Sequence, residues 1–321
     1  MTLPVMTAET LSPPVDPTLY FIGVSTGQSS IQRVFPKWAK RLGLPQSRLQ
    51  GIDLPLHASQ NAYRSVVSFI SSNPLALGAL VTTHKLDLFE ASADMFDVVD
   101  PFAQLMRETS CISKRKSQLV SHAKDPISSG LALDSFVPRK HWRDTGGHAF
   151  LMGAGGSTIA ISWHLSQHLK KADRPETIII SNRSQPRLDH LRSIQDKFDS
   201  APQFKYILAA AQGDNDRILE TLPPASLVVN ATGLGKDAPG SPITNDAVFP
   251  GEGLIWELNY RGDIVFLDQA RKHEGSLQHI EDGWNYFLHG WTRVIAEVFD
   301  IDIPTTGPLF EELSLLAKRA R

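Results

Sequence analysis

From residue 19 onward, short β-branched runs alternate with stretches whose apolar residues recur every three or four positions. A period near two marks a strand, and a period near 3.6 marks a helix with one buried face. On that basis residues 19–24, 49–54 and 77–82 are expected strands, with helices at 31–42, 61–71 and 86–96. A hairpin is expected from 110–114 and 118–122, then a helix over 126–136. Residues 138–147 are polar, open on a proline and close on a glycine pair, the composition of a linker. A second series begins with apolar residues 150–152, a glycine turn, a helical pattern over 159–169 and the β-branched run 177–180. It extends to about residue 282 and is followed by helices over 286–299 and 308–321. The first 17 residues, with Pro4, Pro13, Pro14 and Pro17, are expected to form a loose arm. Strands alternating with helices predict two α/β domains built on mostly parallel sheets.

Composition narrows the function classes. A chain of 321 residues is long enough for two domains with ample core. A formal net charge of −2 leaves no electrostatic footprint for nucleic acid or an anionic membrane surface. No apolar run is long enough to span a bilayer, and the start lacks the charged-then-apolar layout of a signal peptide. The one cysteine, Cys111, excludes an internal disulfide, fits a reducing, cytoplasmic setting and is expected to be a buried structural thiol. His164 and His168 have the i, i+4 spacing of a metal pair, but no third ligand follows, so a solvated helix face and no metal are expected.

The glycine turn carries the first specific chemistry. Residues 150–158 read Phe-Leu-Met-Gly-Ala-Gly-Gly-Ser-Thr. A strand that turns on glycines into a helix lets backbone N–H groups approach a pyrophosphate at the helix's positive start. Gly153 and Gly155 supply the turn, Gly156 admits close backbone approach, and Ala154 and Ser157 complete the candidate phosphate loop. Thr158 stands where the fingerprint has its third glycine. The end of the next strand selects the dinucleotide, because an NAD site usually places a carboxylate there for the ribose hydroxyls. This chain has Asn182-Arg183-Ser184 with Arg187 close behind, and guanidinium forks suit a 2′-phosphate. NADP is therefore the expected cofactor. The bland rival is a glycine-rich turn in some other α/β protein, and the Asn-Arg-Ser ending counts against it.

Further short motifs follow in a telling order. They are Leu80-Val81-Thr82-Thr83-His84-Lys85, Ala123-Lys124-Asp125-Pro126-Ile127-Ser128, Asn230-Ala231-Thr232-Gly233-Leu234-Gly235 and Glu257-Leu258-Asn259-Tyr260, with Gly283 opening a closing helix. From Tyr20 to Pro304 this order resembles the shikimate/quinate dehydrogenase family. The resemblance implies an N-terminal α/β substrate domain at 18–137, completed by 286–321. It also implies a C-terminal Rossmann-type NADP domain at 138–285. It makes Lys85 the general acid/base and Asp125 its carboxylate partner. Ser29, Ser30, Thr82, Lys124, Tyr260 and His289 become substrate contacts, and Asn230, Thr232 and Gly283 join the cofactor site. The implied partner is a small-molecule substrate, and the sequence admits a homodimer.

Departures from the family pattern are as informative. The proline before His84-Lys85 is missing, and Ile31 replaces the second serine of the family's carboxylate-holding pair. Ile112, Ala123 and Gly290 stand where the family has polar substrate contacts. A site built for hydroxyls discriminates strongly, because unpaired buried polar groups are costly. These replacements point to a changed substrate with the reaction retained: hydride transfer between nicotinamide and the secondary alcohol or ketone of a small hydroxylated, cyclic compound. One alternative is a true shikimate or quinate dehydrogenase with an atypical pocket; another is a dinucleotide-binding regulatory protein. Each residue also has a plainer reading. Lys85 and Asp125 could be surface charges, Ser29 and Ser30 helix caps, Tyr260 a packing residue and Lys124 a solvated lysine.

Overall fold

In the computed structural model, which describes residues 3–199, 202–236 and 238–321, the expected alternation appears first as β1 (Thr18–Gly23), α1 (Ile31–Arg41), β2 (Arg48–Asp53), α2 (Gln60–Ser72), β3 (Ala76–Val81) and α3 (Lys85–Ser92). Then come β4 (Val98–Val99), α4 (Pro101–Met106), β5 (Cys111–Arg115) and β6 (Gln118–His122). β4 and α4 are too short to show a period, but α4 has a definite start. Asp100 caps it by accepting the Ala103 N–H at 2.7 Å, and Pro101 follows as its first residue. The strands order as β2-β1-β3-β5-β6-β4, with β1 parallel to β2 and β3, and β5 antiparallel to β3 and β6. The apolar stripe of α2, Tyr63, Val66, Val67 and Ile70, is buried in a core shared with Tyr20, Ile22, Ile52 and Val81.

The arm, whose residues 1 and 2 lie outside the described residues, is not loose around Met6. Met6 is buried and bridges in parallel to Ile52, with Met6 N–H donating to Gly51 O at 3.0 Å and Asp53 N–H to Met6 O at 2.8 Å. β2 lies at the sheet's edge, where unpaired backbone groups seek partners, and this segment supplies them despite its prolines.

The chain continues through α5 (Asp125–Asp134), α6 (His141–Thr145), β7 (Ala149–Met152), α7 (Gly156–Trp163), β8 (Thr177–Asn182), α8 (Gln185–Gln195), β9 (Gln203–Leu208), α9 (Asp214–Leu219) and β10 (Leu227–Asn230). After these come β11 (Leu254–Glu257), α10 (Val265–Arg271), β12 (His279–Glu281), α11 (Trp284–Phe299) and α12 (Pro308–Lys318). The second sheet is parallel throughout, in the order β12-β11-β10-β7-β8-β9. The chain moves outward from β7 through β8 to β9, then returns to lay β10 on the other side of β7. The strand order of this doubly wound sheet reverses between β7 and β10, and in such sheets ligands bind beyond the carboxyl ends of the strands at that switch point.

Contacts divide the chain into one unit running to Lys124 and rejoined by Leu288–Arg321, and a second unit, Asp125–Phe287. In the first unit α12 lies along α1, where Trp38 Nε1 donates to Leu313 O at 2.7 Å. α5 packs in the second unit with the His164 ring against Gly130, whereas the sequence pattern grouped it with the first domain. The expected linker is not a free tether. It contains α6, His141 bonds Ala225 O at 2.8 Å and Trp142 is buried, so apolar and aromatic side chains fold the segment onto the second unit. The His164/His168 face is solvated only in part: His168 is exposed, whereas His164 is not. α7 passes into a wider π-type turn over His164–His168. His164 is buried there, bonds Asp134 Oδ1 at 3.1 Å and stacks on His168. Among the described residues, no cluster of three or more His, Cys, Asp or Glu side chains could hold a metal. No described helix is long and apolar enough to cross a membrane. Cys111 is buried, and burial pushes its thiol pKa up.

Candidate active site

β7 is buried along its length and ends at Gly153, whose φ of +113° is one that side-chain-bearing residues rarely adopt. A Cβ there would stand 2.7 Å from the Ala231 carbonyl, so the ends of β7 and β10 approach this closely only with glycine. Ala154 is buried behind the turn. Gly155 is the N-cap of α7 and supplies no side-chain bond, and the first turn, which begins with Gly156 and Ser157, has no acidic residue. A Cβ on Gly155 would meet nothing within 4 Å. The helix start therefore combines orphan N–H donors with open room, which suits a pyrophosphate. The missing third glycine has a physical reason: Thr158 is fully buried, and its hydroxyl donates to Gly153 O at 2.9 Å, closing the turn.

β8 ends at Asn182, whose Nδ2 donates to Ser184 O at 3.4 Å. Ser184 precedes α8 as its N-cap without spending its hydroxyl on the helix, Arg183 is exposed and Arg187 is half-buried. The strand end thus carries an amide, a hydroxyl and two guanidinium groups, and no carboxylate.

At the ends of β10 and β11 the polar residues interlock. Asn230, fully buried, donates from Nδ2 to Glu257 Oε2 at 2.6 Å, and its Oδ1 accepts from Thr232 N–H at 3.0 Å and Thr232 Oγ1 at 2.6 Å. Glu257, also fully buried, accepts Asn259 N–H at 2.7 Å through Oε1. Burial pushes its carboxyl up to about 7, against the hydrogen bonds from Asn259 and Asn230 that favour the charged form. Gly283 lies against this end, since a Cβ on it would fall 2.0 Å from Leu258 O. Tyr260 packs with Trp284 and Phe287, ring centroids 5.5 and 4.6 Å away.

Lys85 and Asp125 belong to different units. Lys85 opens α3, is half-buried, and its carbonyl accepts Thr109 N–H at 3.0 Å. The turn before it explains the missing proline. Thr83 has φ of +45°, which a pyrrolidine ring fixed near −65° cannot adopt. His84 is buried and bonds the Tyr63 hydroxyl through Nδ1 at 3.0 Å, and burial lowers its pKa. Thr82 hangs from the end of β3, with its N–H on Ile22 O at 3.0 Å. Ser29 and Ser30 are buried, and Ser30 precedes α1 without a side-chain capping bond, so the plain capping reading fails for it. Ile31 and Ile112 are fully buried in the same unit.

Asp125 opens α5 and is buried, and its Oδ2 accepts the Tyr286 hydroxyl at 2.9 Å. Lys124 is not a solvated lysine. Its side chain is 14% exposed, and its Nζ meets Glu297 Oε2 at 2.7 Å. Burial alone would raise the Glu297 carboxyl, but the Lys124 hydrogen bond, with His122 and Arg115 alongside, holds it down at about 2. His289 is buried and stacked on Phe310 with centroids 4.6 Å apart, and burial, with the Arg293 charge behind it, lowers its pKa to about 4. It is a neutral imidazole at ordinary pH. Motif reading missed Tyr286, Glu297 and the role of Glu257. The first two lie 161 and 173 residues from their partners, and no spacing rule links positions so far apart.

Comparison with known proteins bears on the family likeness and the fold. No family model matches the chain. It is 28% identical over 180 residues to the shikimate dehydrogenase (NADP(+)) of Streptococcus thermophilus, covering 56% of this chain and 58% of the relative. The chain is aligned to less than two thirds of the length of the curated relatives it matches. A shikimate dehydrogenase solved in complex with NADP+ superposes with a TM-score of 0.70 at 18% identity, covering 95% of this chain and 98% of the other. A quinate dehydrogenase from Corynebacterium glutamicum, solved with NAD, gives 0.69 at 14%, covering 95% and 99%. At such identities the structures speak for the fold: two α/β units, one of them of Rossmann type. The motif resemblance is thereby borne out in sequence and in architecture.

Proposed function

For a chain that is divergent yet shikimate dehydrogenase-like in sequence and fold, we propose an NADP-dependent oxidoreductase acting on the secondary alcohol or ketone of a small hydroxylated, cyclic substrate. One observation carries this: the open, acid-free start of α7 beside a β8 end that bears Arg183, Ser184 and Arg187 in place of a carboxylate. On this reading the second unit is the dinucleotide domain and the first is the substrate domain. Gly153 to Ser157 would hold the pyrophosphate, and Asn182, Arg183, Ser184 and Arg187 the 2′-phosphate. Asn230, Thr232 and Gly283 would border the nicotinamide. Bound NADP supplies the hydride chemistry, and the chain supplies position and proton transfer. Lys85 gives a proton to the forming alkoxide in reduction, or accepts the hydroxyl proton in oxidation. Asp125, held by Tyr286, acts as its carboxylate partner. Ser29, Ser30, Thr82, Lys124, Tyr260 and His289 are the proposed substrate contacts. The setting is cytoplasmic, and the proposed partners are the substrate and a second copy of the chain.

The apolar residues Ile31, Ile112 and Ala123, all fully buried, favour a substrate other than shikimate. Absorbance at 340 nm with NADP+ and shikimate, quinate and a panel of cyclitols tests this. Turnover of a panel compound other than shikimate and quinate is expected. Efficient turnover of shikimate would restore the family substrate, and NADP+ binding without any turnover would favour a regulatory dinucleotide-binding protein.

A further inference from the structure

We infer that Glu257 is a positioning residue for the dinucleotide site, acting through Asn230 to lock the 231–234 turn against the glycine turn at Gly153. The inference rests on the NADP reading above and deepens it. Asn230 and Glu257 end adjacent parallel strands and are paired in register. The turn that follows Asn230 is tied at several polar groups. Thr232 N–H and Oγ1 donate to Asn230 Oδ1, and Thr232 Oγ1 accepts Leu234 N–H at 3.2 Å. Asn259 Nδ2 donates to the carbonyls of Thr232 at 3.3 Å and Leu234 at 3.2 Å. Asn259 is in turn fixed through its own N–H on Glu257 Oε1 at 2.7 Å. This tied turn is the wall of the glycine loop. Ala231 N–H donates to Met152 O at 2.9 Å, and the Ala231 carbonyl is the atom that a Cβ on Gly153 would strike.

The amide of Asn230 has one workable orientation. A backbone N–H can only donate, so Oδ1 must face Thr232 and the NH2 must face residue 257. Residue 257 therefore meets two donors, the Asn230 NH2 and the Asn259 N–H. A carboxylate offers an acceptor to each. A carboxamide offers one acceptor and sets its own NH2 against the other donor. That need for two acceptors gives a physical reason for an acid at a fully buried position, where burial disfavours its charge.

The test compares full-length native protein with E257Q, N230D and the double variant N230D/E257Q at about pH 8, where Glu257 is ionised. Two readouts are taken: NADP+ affinity, and hydrogen exchange of the 231–235 amides without cofactor. Each single variant is expected to speed exchange in the turn and to weaken NADP+ binding roughly tenfold, the factor set by one buried group left unpaired. E257Q sets donor against donor, and N230D sets carboxylate against carboxylate. The double variant restores every pair with the charge moved from 257 to 230, and should recover both readouts to within about threefold of native. If a single variant fails to fold, recovery of the fold in the double variant is the same result. Native-like exchange and affinity in E257Q, or a double variant no better than the poorer single, would overturn the inference. A native protein that does not bind NADP+ would overturn the cofactor reading instead, with the exchange data still deciding whether Glu257 locks the turn.

Discussion

Two glycines two positions apart in the β7–α7 turn, Gly153 and Gly155, should respond oppositely to the same added methyl group. Gly153 has φ of +113° and lies against the Ala231 carbonyl, so Gly153→Ala places a Cβ 2.7 Å from a backbone oxygen that cannot easily retreat. Strain in that backbone region costs roughly 1–3 kcal/mol, and forcing a close-packed neighbour aside costs roughly 1–3 kcal/mol more. A loss of about 2–6 kcal/mol is large against a total stability of about 5–15 kcal/mol. Thermal unfolding should register it as a drop of at least about 3 °C. Gly155→Ala meets nothing within 4 Å at an ordinary φ of −101°, so its stability cost should stay within about 1 kcal/mol. Its methyl group would instead fill the room proposed for the pyrophosphate. In the native protein NADP+ at 100 times its Kd should add about 2.7 kcal/mol of stability, and G155A should lose most of that gain. The reasoning fails if G153A melts with the native protein, or if G155A keeps the full NADP+-induced shift.

Replacing Arg183 with Asp should weaken NADP+ binding much more than NAD+ binding in a direct titration, and equal losses would remove the 2′-phosphate assignment. Tyr286→Phe deletes the donor on Asp125 and should cost about 0.5–1.5 kcal/mol of stability. It should lower kcat more than it weakens NADP+ binding, because the same hydroxyl also lies 3.4 Å from Ser157 Oγ in the proposed phosphate loop, and a native kcat would speak against the Asp125 assignment. Glu257, raised in the folded protein to about 7, contributes stability that is fully present below its unfolded value near 4.5 and lost as pH rises through about 7. The loss is at most about 3 kcal/mol. A melting-temperature series from pH 5 to 8 should show it in the native protein and not in E257Q. Glu297, held down at about 2, works in the opposite sense. Its contribution is present above about 4.5 and lost as pH falls through about 2, so E297Q should flatten the acid limb of the same series.

The parts of this molecule legible in the sequence are those set by local chemistry. The β7–α7 turn announced itself because strand, glycines and helix lie within about 15 residues, and each element's period is strong. The motif order placed Lys85 at a helix start and Asp125 at another, and both positions hold in the structure. What escaped depends on distant partners. Met6 pairs with Ile52 because an edge strand needs hydrogen bonds, which proline-rich composition conceals. His164 is buried because α5, 30 residues earlier, brings Gly130 and Asp134 to it. Lys124 read equally well as a cleft cation or a solvated lysine until Glu297 appeared beside it. The role of Glu257 emerges only when β10 and β11 are laid in register.

The central claim is that Lys85 moves the proton in an NADP-dependent hydride transfer. The direct measurement is kcat at 340 nm for native protein and Lys85→Ala with the best panel substrate at saturating NADP+, together with the Kd for NADP+ of each. A fall in kcat of about 10²–10⁴, as removal of a general acid/base gives, with an unchanged Kd is the predicted result. Equal kcat values, or a loss traced wholly to NADP+ binding, would contradict it.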